Sequence, residues 1–115
     1  MDLIASLFGK PVNRISPSEA HRKLAQSPKP FLLDVRQPEE YRSGHIPGAR
    51  LIPLSTLHNR LRELPKNQEI ICICHSGNRS ASAARQLVKA GYSAMDLRGG
   101  LIAWSRAGLP MTKGK

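Results

Sequence analysis

A cysteine opens the segment Cys74-His-Ser-Gly-Asn-Arg79, directly after the run Glu69-Ile-Ile-Cys-Ile73. The preceding run is short, apolar and rich in isoleucine, the pattern of a strand buried on both faces. The next segment, Ser80-Ala-Ser-Ala-Ala-Arg-Gln-Leu-Val-Lys-Ala90, is strongly helix-forming and stops at Gly91. Cys74 therefore stands where a buried strand hands over to a helix N-terminus. Gly77 can take backbone angles closed to other residues, so the loop can curl with its amide N–H groups inward as an anion nest. The helix adds its positive dipole end and Arg79 a full charge. All three favour a thiolate, which makes Cys74 a candidate nucleophile. His75, Ser76, Gly77, Asn78 and Arg79 form the loop that would cradle a negative group bonded to its sulfur.

Other side chains could contribute. His75 is either a general base or part of the loop wall; a thiolate in an amide nest needs no base, which favours the wall. Cys72 lies between Ile71 and Ile73 and reads as a small buried hydrophobe, its alternative being a resolving thiol for Cys74. A disulfide between positions i and i+2 is strained, so the two cysteines are expected reduced, as in the cytoplasm. Of the four histidines, His21, His45, His58 and His75, only His75 is near the cysteines, and Cys-x-Cys-His lacks a closed ligand set. No metal and no organic cofactor are expected.

These residues need a frame. Val12 to Ile15 is a short strand candidate. Ser16 caps a helix with Pro17 at its first position and Glu19 closing a capping box; it ends near Gln26. Phe31-Leu-Leu-Asp-Val35 is a second buried strand. Pro38 to Arg42 is a short helix stopped by Gly44, and Arg50 to Ile52 is a third strand. Leu57, Leu61 and Leu64 predict a helix over 56–64. The strand at 69–73 and the helix from Ser80 come next, then a strand at 92–97 and a short helix around Trp104, which is expected as a core anchor. Alternating strands and helices imply a parallel sheet with helices on both faces, with the working site beyond the strands' carboxyl ends. The loop at Cys74 is in that place.

The 115 residues suffice for one domain with its own core, and the apolar share of 40% is ordinary for a folded protein. No apolar run approaches the ~20 residues of a membrane span. Residues 1–11 read as an N-terminal extension too short for a signal peptide, and 111–115 as a basic C-terminal tail. With 18 Lys and Arg against 8 Asp and Glu, the net charge is +10. Aromatics at 4% argue against a base-stacking surface, and no motif supports sequence-specific nucleic-acid binding. Apart from a solvated surface, the charge suits a small anion or an acidic partner.

Three motifs in order resemble a single-domain rhodanese, a sulfurtransferase, over residues 12–110. One is Cys74-His-Ser-Gly-Asn-Arg79. Another is Leu33-Asp-Val-Arg36 with Glu40-Tyr41, Gly44-His-Ile-Pro-Gly-Ala49 and Ile52-Pro53. The third is Leu97-Arg-Gly-Gly100 with Trp104 and Gly108-Leu-Pro110. The resemblance implies an α/β domain with a five-stranded parallel sheet. It also implies a persulfide on Cys74, loaded from thiosulfate or a persulfide donor and unloaded to cyanide or a thiol; the basic surface would fit an acidic sulfur-carrier protein as the acceptor. A non-enzymatic persulfide carrier or docking module is the alternative. In related folds cysteine phosphatases use a loop one residue longer, sized for phosphate. Among Asp34, Arg36, Glu40 and Arg79 the expectation is ion pairing that orders the loop, against direct substrate contact by Arg36. His45 and Gly48 are expected to fix a turn, and Gly99 and Gly100 to allow close backbone approach to the loop.

Overall fold

The apolar runs become the middle of a parallel sheet. The computed structural model describes residues 12–115, so the N-terminal extension expected at 1–11 lies outside the described residues. Five strands, β1 (Arg14–Ile15), β2 (Phe31–Asp34), β3 (Arg50–Leu51), β4 (Ile70–Ile73) and β5 (Ala94–Leu97), pair in the order β1-β5-β4-β2-β3. All four pairings are parallel. β4 sits in the centre with all four residues buried, which is why its sequence is continuously apolar rather than alternating.

Helices α1 (Pro17–Leu24), α2 (Pro38–Ser43), α3 (Leu54–Leu57), α4 (Asn78–Lys89) and α5 (Gly100–Arg106) cover both faces. On one face Leu57 of α3 and Ala83, Ala84 and Leu87 of α4 pack on Leu33, Ile70, Cys72 and Cys74. On the other, Ala20 of α1 and Leu101 and Trp104 of α5 pack on Leu32, Ile71 and Ile73. Trp104 is 1% exposed, and its indole N–H donates to the Pro110 carbonyl at 2.8 Å, so the ring is buried with its polar atom satisfied. None of the described helices is long and apolar enough to cross a membrane.

Some elements differ from the sequence expectation. The helix expected over 56–64 divides into the single turn of α3 and a 3-10 turn at Leu61–Glu63. Glu63 pairs with both Arg50 and Arg60, and Tyr92 donates to the Leu61 carbonyl at 2.6 Å; these contacts hold the second turn apart from the first. α1 ends at Leu24, with Ala25 as its cap. Ser16 Oγ accepts from the Glu19 amide at 3.2 Å, as its capping role requires. α4 begins at Asn78, two residues before the expected Ser80, because Gly77 adopts φ 111° and turns the chain directly into the helix.

Candidate active site

The sheet sets the position of three side chains at once. In the register Asp34 of β2 lies beside Ile73 and Asp96 of β5 beside Cys72, so two acids flank the end of β4. Neighbours in register share a face and successive residues alternate. Asp96 therefore points to the α4 face together with Cys72 and Cys74, while Asp34 points to the opposite face.

Cys74 directly follows β4 and is 1% exposed. The Gly77 amide donates to its Sγ at 3.0 Å, and Ser80 Oγ lies 3.3 Å away. The first amides of α4 have no intrahelical acceptors, which makes this helix end a place where negative charge is favoured. The carbonyls of the loop's first residues are held from behind. Leu101 N–H donates to the Cys74 carbonyl at 2.9 Å, and Ile102 N–H to that of His75 at 3.1 Å. This approach of α5 depends on Gly100, where a Cβ would stand 2.6 Å from the Cys74 oxygen and 2.5 Å from the His75 oxygen. Gly100 thus provides the close backbone approach to the loop anticipated for it, whereas a Cβ on Gly99 would meet Ala103 of α5 at 2.7 Å rather than the loop.

On the Asp34 face two ion pairs stand in series. Arg36 grips Asp34 with Nε at 2.9 Å from Oδ1 and a terminal nitrogen at 2.8 Å from Oδ2. It also donates to the carbonyls of Glu40 and Gly44 at 3.2 and 2.7 Å. Beyond Asp34, the hydrogen bonds of this 4% exposed residue thus serve α2 and the turn after it. Glu40 in turn takes Arg79 in a two-pronged pair at 2.7 and 2.9 Å and accepts from the Gln37 amide at 2.9 Å. The Arg79 hydrogen bonds hold the Glu40 carboxyl well below its usual range, at about 2, against the opposing effect of burial. Glu40 likewise raises the already high pKa of Arg79. The charge of Arg79 is thereby balanced and its plane fixed, with both terminal nitrogens committed to Glu40.

His75, Ser76 and Asn78 are exposed. His75 lines a cleft of about 640 Å³ together with Arg36, Glu40, Leu101, Ile102 and Arg106. Cys74, next to His75 in the chain and 1% exposed, does not line the cleft itself. His45 is placed structurally: it is 2% exposed, stacks on Tyr41 with ring centres 3.6 Å apart, and exchanges backbone hydrogen bonds of 2.8 Å with Thr112. Cys72 is fully buried, and burial, then Asp96, pushes its thiol up. Both cysteines are free.

Sequence reasoning missed two residues that meet here, Ser80 and Asp96. Ser80 donates to Asp96 Oδ1, placing a hydroxyl between the Cys74 sulfur and a buried carboxylate. The signal was available: Asp96 is an acid near the end of an apolar strand, as Asp34 is in Phe31-Leu-Leu-Asp34.

A family model for the rhodanese-like domain matches residues 16–107. A sulfurtransferase of Allochromatium vinosum is 39% identical over 101 residues, 87% of this chain and 94% of that protein. Two further relatives are longer proteins of which the chain spans 33% and 49%. Among solved structures, a rhodanese-related protein from Thermoplasma volcanium superposes with a TM-score of 0.82 at 30% identity, covering 87% of this chain and 97% of that one. A thiosulfate sulfurtransferase from Pseudomonas aeruginosa gives 0.79 at 30% identity, covering 90% of this chain and 20% of the larger protein.

Proposed function

The chain belongs to the rhodanese-like domain family, and on that premise we propose that it is a sulfurtransferase that carries sulfane sulfur on Cys74. The observation that carries the reading is the Cys74 sulfur at the end of β4, bonded by the Gly77 amide at 3.0 Å against the N-terminus of α4. That arrangement stabilises negative charge at and just beyond the sulfur without a metal or cofactor.

The thiolate of Cys74 attacks the outer sulfur of thiosulfate or a related persulfide donor. The donor's S–S bond breaks, and sulfite, or a thiolate, leaves with the bonding pair. Cys74 then holds a persulfide whose terminal sulfur bears the negative charge. The amides of residues 75–79 receive that charge, and the Glu40–Arg79 pair keeps the far end of the loop in place. Cyanide or a thiolate next attacks the terminal sulfur, takes it, and Cys74 leaves as a thiolate. Two nucleophilic displacements complete the cycle with no net oxidation. Asp34 and Arg36 support α2 and so Glu40 rather than touching the donor. The +10 charge suits a small anionic donor and an acidic carrier protein as acceptor. Two reduced cysteines suit the cytoplasm.

Thiosulfate:cyanide sulfurtransferase activity, with intact mass measured before and after thiosulfate, tests this. Thiocyanate formation and a one-sulfur mass gain are expected, both lost in Cys74→Ala. A mass gain without turnover would instead favour a persulfide carrier that requires a protein acceptor. Absence of both with thiosulfate and with persulfide donors overturns the reading.

A further inference from the structure

Ser80 and Asp96 stand next to Cys74, yet the displacement steps leave them without a task. Ser80 Oγ is 3.3 Å from Cys74 Sγ, and its hydroxyl donates to Asp96 Oδ1. Both residues are buried, at 0% and 1% exposure. A hydroxyl has a single proton and cannot donate to both neighbours. With that proton on the Asp96 side, Cys74 as a thiol gives its S–H to Ser80 Oγ. With Cys74 as a thiolate, the hydroxyl has to turn to the sulfur, and Asp96 keeps a hydrogen bond to Ser80 only by carrying a proton itself.

Building on Cys74 as the nucleophile, we infer that Ser80 and Asp96 form a proton station for its sulfur. Cys74 passes its proton to Ser80 Oγ while Ser80 passes its own to Asp96. The chain S–H, O–H, carboxylate becomes thiolate, H–O, carboxylic acid. One S–H and one O–H bond break, two O–H bonds form, and one negative charge is present throughout. Ionising the sulfur with Asp96 still charged would instead bury two anions side by side, which is costly in a dry site. In the second displacement Cys74 departs as a thiolate, and the Ser80 hydroxyl is already placed to meet it. Asp96 acts through Ser80, so it is a positioning residue.

The surroundings suit this exchange. Burial pushes the Asp96 carboxyl up, opposed by the Ser80 hydrogen bond and by Arg14 and Arg85. From β1, Arg14 Nε reaches Asp96 Oδ2 at 3.5 Å, with its side chain 56% exposed. Among the described residues Cys72, beside Asp96 in the register, is a further titratable neighbour, and burial keeps it a thiol.

Alkylation of Cys74 by iodoacetamide against pH, read by peptide mass spectrometry, tests the inference without any sulfur transfer. Sharing one proton makes the reactive fraction independent of pH over a central range, so the native protein shows two steps separated by a plateau. Asp96→Asn should give one step and no plateau, and so should Ser80→Ala. Arg14→Gln, a substitution at a half-exposed site, makes the carboxylate a better proton acceptor and should raise the plateau about two- to fivefold, the range of a partly exposed ion pair. In the infrared, part of the Asp96 carboxylic-acid band should persist across the plateau, where thiolate is already present, disappear with the second step, and be missing in Asp96→Asn. A single-step native profile that Asp96→Asn and Arg14→Gln leave unmoved overturns the proton station even if sulfur transfer is intact. Failed sulfur transfer with the two-step profile preserved overturns the catalytic reading alone.

Discussion

At the scale of single residues, two cysteines one position apart occupy different chemical settings. Cys72 is enclosed in the core between strand neighbours, with its thiol pushed up by burial. Cys74 meets an amide donor and a hydroxyl. Cys74→Ser should therefore abolish sulfur transfer, while Cys72→Ala should retain most of it and lower stability by about 1 kcal/mol, the cost of a small cavity. Thiocyanate assays and urea denaturation of both variants check this; equal loss of activity would make Cys72 catalytic. Glu40 supplies a pH prediction. Its folded pKa, about 2, lies below the ordinary carboxylate value. The pair therefore stabilises the fold fully above pH ~4.5 and is lost as pH falls toward 2. Because the pair is partly exposed, its contribution is about 1 kcal/mol. Glu40→Gln should flatten that part of the stability–pH curve, measured by denaturant midpoints, and leave the curve above pH ~6 parallel to the native one.

Among the elements, the contact between the active loop and the N-terminus of α5 carries the most specific consequence. Gly100 lets the Leu101 and Ile102 amides reach the carbonyls of Cys74 and His75. Gly100→Ala forces a Cβ into those carbonyls and must displace either the helix or the loop. Gly108 also has a positive φ, 72°, but a Cβ there meets nothing within 4 Å. Both alanine variants should lose about 1 kcal/mol through backbone strain. Gly100→Ala should lose more, and its kcat/KM should fall about tenfold or beyond as the nest is misplaced. Gly108→Ala should keep its activity. Parallel thermal melts and kinetics separate the two effects, and equal activities would detach α5 from the function of the loop.

The whole molecule contributes its field. Of the eight acids, Asp34, Glu40, Glu63, Glu69 and Asp96 are already paired with cations. The remaining positive charge should draw an anionic donor to the cleft. With a Debye length near 10 Å at 0.1 M salt, raising ionic strength from about 0.02 to 0.2 M should lower kcat/KM for thiosulfate severalfold. Alkylation of Cys74 by neutral iodoacetamide should change little over the same range. Salt independence with thiosulfate would mean that the charge does not act on the donor.

Most of the fold was legible in the sequence, because strands buried on both faces read as short apolar runs between breakers and the chain alternates them with helical segments. The candidate nucleophile was legible for a local reason as well: Cys74, Gly77 and the helix after them are neighbours in the chain. The helix expected at 56–64 was not, because Glu63 and Tyr92, which shape it, act through residues elsewhere in the chain. Nor could the chain alone match partners among Asp34, Arg36, Glu40 and Arg79. The distance from Glu40 to Arg79 is 39 positions, and only the docking of α2 beside the loop joins them. Ser80 and Asp96 are the same case. One leans from α4 and the other from β5, and it is the parallel register of β4 with β5, with Asp96 beside Cys72, that brings a carboxylate to the Ser80 hydroxyl next to the Cys74 sulfur. Local chain chemistry marked the candidate nucleophile; the sheet decided which groups surround it, because parallel pairing aligns the ends of strands that are far apart in sequence.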